Sequence, residues 1–266
     1  MTLAAAWVRK TGGARELVVA SDSRLSGGET WDRAPKIFEL PRTDAVIAFT
    51  GSTSFALPAV MQLVSAISAY PPSRRRSSDL EAAKGHALAV FNEIYSNRRD
   101  YPSSGNPGPE ADFILAGWSW RAAQFRIWYL AWDSSEEKFK FRAVKPWRKR
   151  ENVWCWFAGS ENAVRDARRS LEIRLAQNGK SADSYLNYEP LEIIAEACFR
   201  QNYRDIGGAP QVTKVYQHMN VQQFAVEWPV EGSTEQARSL YLGGRPLLSY
   251  EVAFVPVLRG EYLGLA

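Results

Sequence analysis

Strand-like and helix-like segments come in blocks along this chain, and the block order constrains the fold more than any single motif. Thr2 to Val8 and Glu16 to Ala20 are rich in small and β-branched residues and flank KTGGAR, whose glycine pair spells a hairpin turn. KIFEL and AVIAFTG follow as two further strands, split at the Pro41 turn. From Ser52 the segment STSFALPAVMQLVSAISAY exceeds a strand in length and reads as a buried helix, with Pro58 tolerable only near its first turns. Beyond the loop PPSRRRSS, Ser78 and Glu81 have capping-box spacing, and Leu80, Ala87, Phe91 and Ile94 continue a helical face. The Pro- and Gly-rich YPSSGNPGPEA separates this half from the strands DFILAGWS, AQFRIWYLAWD, KFKFRAV and VWCWFAG. Helices are expected over about Glu161 to Gln177 and Leu191 to Tyr203, and QVTKVYQH and VQQFAVEW return to the strand pattern.

Strands, two helices, strands, two helices, strands is the order of an α+β fold. It predicts two antiparallel sheets packed face to face with helices on both outer sides, a four-layer αββα sandwich. Hydrophobic residues make up 45% of 266 residues, enough to fill such a core in one domain spanning 1–266. The stretch 229–266 is apolar in patches and is expected to dock on that domain or on a neighbouring subunit.

No run of about 18 apolar residues occurs and the N-terminus lacks a secretory pattern, so a cytoplasmic protein is expected. Cys155 and Cys198 lack CxxC spacing and sit among apolar neighbours, as in a reduced compartment. With His86 and His218 as the only histidines, neither a histidine metal site nor a Ser-His-Asp triad is well supplied, and no cofactor or metal is expected. The net charge of +4 is a mild excess, concentrated in SRRR (Ser73 to Arg76) and KPWRKR (Lys145 to Arg150). The ring of Trp147 among cations is a mixture that can hold a nucleic-acid strand, but such runs are read first as solvated loops.

The most informative residue stands directly behind the initiator. Once Met1 is removed, Thr2 carries a hydroxyl and a free α-amine, a nucleophile with its own base attached. An α-amine titrates at about 7.7–8.0, well matched to accept a proton near neutrality. Such a centre needs a cation to favour the neutral amine, a carboxylate to hold that cation, and a backbone N–H for the oxyanion. The sequence offers Asp22 in VVASDSRL, Lys36 in APKIFEL and Gly51 in AFTGST, in that order and at the ends of expected strands. Taken singly each has an ordinary role: a structural salt bridge for Asp22 and Lys36, a permissive backbone angle for Gly51.

Together, TLAAAW, VVASDSRL, APKIFEL and AFTGS resemble the proteasome β-subunit family and its bacterial relatives, the N-terminal nucleophile peptidases of the HslV type. The resemblance is strongest over about the first seventy residues. It implies Thr2 as nucleophile, Asp22 and Lys36 as its supporting ion pair, and Gly51 as oxyanion donor. By the same resemblance FAGSENAV suggests Ser160 as a serine near the α-amine, and RDIGGAPQV suggests Asp205 as a supporting acid. There the family carries an aspartate, a serine and a glycine pair, whereas this chain has Ile206 and no serine. The implied activity is threonine-type hydrolysis of peptide or unfolded-protein substrates by a homo-oligomeric ring, a kind of ring often served by an ATPase unfoldase. A catalytically silent ring-forming subunit and an amidase acting on small amides share the same fold.

Overall fold

The computed structural model describes residues 2–99, 108–144, 155–180, 185–230 and 237–258. The chain opens with the hairpin marked by the glycine pair: β1 (Leu3–Thr11) and β2 (Ala14–Ser21) run antiparallel, with Ala4 opposite Ser21. Gly12 and Gly13 both have positive φ, +53° and +89°, as a tight hairpin turn of the twisted kind demands. After β3 (Ile37–Glu39) and β4 (Ala45–Gly51) come α1 (Thr53–Ala69), the short α2 (Pro71–Arg74) and α3 (Leu80–Ser96). The second half supplies β5 (Ala111–Ser119), β6 (Gln124–Asp133), β7 (Lys138–Ala143) and β8 (Cys155–Gly159). Then follow α4 (Glu161–Gln177), α5 (Glu189–Arg200), β9 (Gln211–Tyr216), β10 (Val221–Phe224), β11 (Val226–Pro229), β12 (Arg238–Leu242) and β13 (Arg245–Pro246).

Among the described residues this is a mixed α/β fold of five helices and three antiparallel sheets, ordered β10-β9-β2-β1-β8, β3-β4-β5-β6-β7 and β11-β12-β13. Strand β1 explains its own composition. Leu3, Ala5 and Trp7 pack with Ala163, Ala167 and Leu171 of α4 and Leu191 and Ile194 of α5. Ala4, Ala6 and Val8 point the other way and share a cluster with Ile37, Val46, Ala48, Ile114 and Ala116 of the second five-stranded sheet. A strand buried on both faces reads as a continuous apolar run rather than an alternating one. On the second sheet Ile47, Phe49, Phe113 and Leu115 pack beneath Leu63 of α1 and Phe91 of α3.

Several local expectations are corrected. Helix α3 is capped by Asp79, one residue after the expected Ser78. The Asp79 carboxylate accepts from Glu81 N (3.3 Å), Ser119 Oγ (2.8 Å) and Arg121 N (3.3 Å), so it joins the helix start to the end of β5. An aspartate reaching two elements outcompetes a serine that would serve one. The run SRRR is not a solvated loop throughout: Ser73 and Arg74 close α2, and Arg76 donates to Thr43 Oγ1 and Met219 O at 3.1 Å. Lys145 to Arg150 lie outside the described residues. Within the described part of the C-terminal stretch, Tyr241 and Leu258 enter the cluster beneath α5 and Leu258 N donates to Ala225 O at 2.8 Å. No helix among the described residues is long and apolar enough to cross a membrane.

The Asp79 tie supplies a pH-dependent test. Burial pushes the carboxyl up, but hydrogen bonds from Ser119, Arg121, Glu81 and Leu80 outweigh it and hold the group below its ordinary value. A folded value below the unfolded one adds stability above the unfolded pKa, and that stability is lost as pH falls through the folded pKa. Asp79→Ala is therefore expected to lower stability by about 1–2 kcal/mol at neutral pH, with the deficit shrinking in acid. Urea denaturation at the two pH values checks it, and a deficit that stays constant would contradict the assigned hydrogen bonds.

Candidate active site around Thr2

Three chain segments meet at the start of β1. Because Ala4 faces Ser21, the N-terminal end of β1 lies beside the C-terminal end of β2, which brings Thr2 and Asp22 together. Backbone and side chain then lock the junction: Asp22 N donates to Leu3 O and Leu3 N donates to Asp22 Oδ1, both at 3.2 Å. Lys36 arrives from the residue before β3. Its Nζ donates to Thr2 Oγ1 at 2.7 Å and to both Asp22 carboxylate oxygens at 3.0 Å. Thr2 is 1% exposed, Asp22 and Lys36 0%.

A buried ion pair survives only where further hydrogen bonds replace the lost water. Asp22 Oδ2 also accepts from Arg24 N at 3.1 Å and from Gly207 N at 3.3 Å. Burial nonetheless pushes the Asp22 carboxyl above its ordinary value, against the pull of the Lys36 ammonium and of the Leu3 and Arg24 N–H groups. Around this centre Arg24 Nε donates to Asp32 Oδ1 at 2.5 Å and Arg24 Nη2 donates to Asp32 Oδ2 at 2.8 Å, while Ser23 Oγ stands 2.8 Å from both the Asp32 and the Ala209 carbonyl oxygens and shares its one proton between them. Those bonds fix the loop between β2 and β3 that carries both members of the ion pair.

The remaining expected residues fall at varying distance from this cluster. Gly51 ends β4 with φ +89°, and a Cβ there would stand 2.1 Å from the Glu110 carbonyl oxygen, so the backbone alone requires glycine. Among the described residues neither the Gly51 N–H nor the Ser160 hydroxyl makes a hydrogen bond to Thr2, Asp22 or Lys36. Ser160 occupies the N-cap position of α4, yet its side chain makes no capping hydrogen bond. It follows Gly159, which pairs with Leu3 and has φ +140°, and a Cβ on Gly159 would lie 1.8 Å from the Thr2 carbonyl oxygen. Ser160 is thus held next to the Thr2 backbone. Asp205 is half-buried, and from its segment the Gly207 N–H, two residues on, is what reaches Asp22.

Gly207 and Gln211 are participants that the sequence did not announce. Gln211 is 4% exposed and makes three hydrogen bonds within the cluster. Only the glycine pair ahead of it drew notice, as part of the resemblance in RDIGGAPQV, and nothing marked the glutamine.

Chemically, the cluster sets a buried cation on a threonine hydroxyl. An ammonium at that distance stabilises negative charge developing on Oγ1, which is what an alcohol needs to act as a nucleophile. The cysteines do not compete for that role. Both are free and buried, and burial pushes each thiol well above its ordinary value, leaving no thiolate at neutral pH. Among the described residues no group of three or more His, Cys, Asp and Glu side chains is placed to hold a metal ion.

No family model and no curated protein sequence matches the chain. The geometry around Thr2 therefore stands on its own.

Proposed function

We propose that this protein is a threonine-type peptidase of the N-terminal nucleophile class, with Thr2 as nucleophile after removal of Met1 and with a proteasome β-type αββα sandwich as its frame. The observation that carries this reading is the 2.7 Å contact from Lys36 Nζ to Thr2 Oγ1, braced by Asp22. The shared cluster between the two five-stranded sheets, with helices packed on the opposite face of each, supports the sandwich.

In this mechanism Thr2 Oγ1 attacks a peptide carbonyl and the α-amine of the same residue takes the hydroxyl proton. The C–N bond breaks, the proton passes to the leaving amine, and an ester to Thr2 remains. Water then attacks the ester, releasing the acid and restoring the hydroxyl. Lys36 favours the neutral amine and steadies the anionic oxygen, Gly51 N–H receives the oxyanion, and Ser160 supports the α-amine. Asp205 acts at a remove, on the segment that delivers Gly207.

A second reading has its own observation. Thr2 is 1% exposed, as suits a catalytically silent subunit of a ring. Intact mass separates the two. Loss of one methionine, together with peptide hydrolysis and acylation of Thr2 by a threonine-directed electrophile, is the expected result, and Thr2→Ala lowers kcat/KM by several orders of magnitude. Full retention of Met1 overturns the peptidase and leaves the silent subunit. Turnover of small amides without peptide cleavage assigns the amidase instead.

A further inference from the structure

We infer that Gln211 is a positioning residue for Lys36, holding the lysine in register with Thr2 through its backbone. The inference deepens the reading of Thr2 as nucleophile and rests on it for its kinetic consequence.

Gln211 begins β9 and stands opposite Ser21 at the end of β2. Its amide uses both ends. Oε1 accepts from Lys36 N at 3.0 Å, while Nε2 donates to Asp22 O at 3.2 Å and to Ala34 O at 2.8 Å. One side chain thus holds the backbone of Asp22, the backbone of Lys36 and the residue two places before Lys36. A primary amide is the group for this task, because it has two donors and an acceptor in one rigid plane. A carboxylate would lose both donors, and a hydroxyl could not span three backbone groups.

The need for such a clamp follows from the local chain. Lys36 precedes β3, which is only three residues long, lies at the edge of its sheet and is held by β4 on one side alone. Its N–H faces the first five-stranded sheet, and Gln211 is the acceptor found there. Without it a buried N–H is left unsatisfied, and the Lys36 backbone keeps only the bond from Phe49 N to its carbonyl at 3.2 Å, so its distance from Thr2 is less tightly held. Displacement of about 1 Å at a reacting group costs up to about 100-fold in rate.

The test uses Gln211→Met, which keeps the volume and removes all three hydrogen bonds, beside Asp79→Ala as a control destabilised far from Thr2. Two readouts are taken on full-length protein. The first is the NMR signal of the Lys36 ε-carbon in protein with labelled lysine, assigned with Lys36→Arg. The second is the split between kcat and KM for peptide hydrolysis. Gln211→Met is expected to move the Lys36 signal and to lower kcat about 10- to 100-fold with little change in KM, whereas Asp79→Ala changes neither. A Lys36 signal unmoved by Gln211→Met, or moved equally by Asp79→Ala, overturns the inference. If the wild-type protein shows no Thr2-dependent turnover, the proposed function falls while the Lys36 signal still decides the role of Gln211. Should Gln211→Met fail to fold, Gln211→Leu, which likewise removes the acceptor on Lys36 N and adds no charge, is read against wild type by the same two criteria.

Discussion

Lys36→Met is expected to lower folding stability by about 3–5 kcal/mol at neutral pH, the cost of stranding one member of a fully buried ion pair. Both partners are 0% exposed, so no water compensates Asp22 once the ammonium is gone. The N–H groups of Leu3, Arg24 and Gly207 would remain on the carboxylate, which sets the loss within that range rather than beyond it. The sign with pH is also fixed. Burial already raises the Asp22 carboxyl, and removal of Lys36 raises it further. A raised folded value favours the protonated form, so stability is retained below the unfolded pKa and lost as pH climbs through the folded one. The deficit of Lys36→Met should therefore grow with pH across the carboxylate range in urea titrations. Asp22→Asn with Lys36→Met should recover part of the loss, because the uncompensated charge is removed. Strict additivity of the two single changes would show that the pair is not coupled.

Gly159→Ala should be nearly as costly, at about 2–5 kcal/mol from backbone strain and overpacking together. Its φ of +140° is one that side chains rarely adopt, and the new methyl would meet the Thr2 carbonyl oxygen at 1.8 Å and its carbon at 2.9 Å. The clash can be relieved only by moving β8 away from the start of β1, which draws Thr2 away from Lys36. Gly12→Ala is the matching control, with φ +53° and nothing within 4 Å of the added atom. Its thermal melt reports strain without collision, and the difference between the two variants isolates the collision. Equal shifts in Tm would mean that β8 does not press on Thr2.

Much of this arrangement is legible in the sequence because it is local. The KTGGAR turn, the length of STSFALPAVMQLVSAISAY and the alternation in AQFRIWYLAWD each declare an element by themselves. Thr2, Asp22 and Lys36 could be singled out because strand ends set them in order, and the structure brings these three into hydrogen-bond contact. What stayed hidden is what depends on distant partners. Gln211 meets Lys36 N across 175 residues and Gly207 meets Asp22 across 185, and no spacing rule reaches so far. Asp79 displaced Ser78 as a cap because Ser119, forty residues on, shares it. The Gly51 reading is illegible for another reason: its steric role against Glu110 would select glycine whether or not its N–H meets an oxyanion.

The first sheet sets β1 between β2 and β8, with β2 flanked in turn by β9, so its earliest strands are completed by some of the latest. At synthesis rates of about 5–20 residues per second, roughly 8–30 s pass before a ribosome that has made β1 reaches Cys155. Through that interval β1 and β2 lack β8 and β9, and the close approach of Gly159 to the Thr2 carbonyl does not exist. On the proposed reading of Thr2 as nucleophile, an aminopeptidase acting during synthesis would meet the N-terminus before β8 closes on it, so the closed surroundings of Thr2 in the finished protein would be no obstacle to trimming.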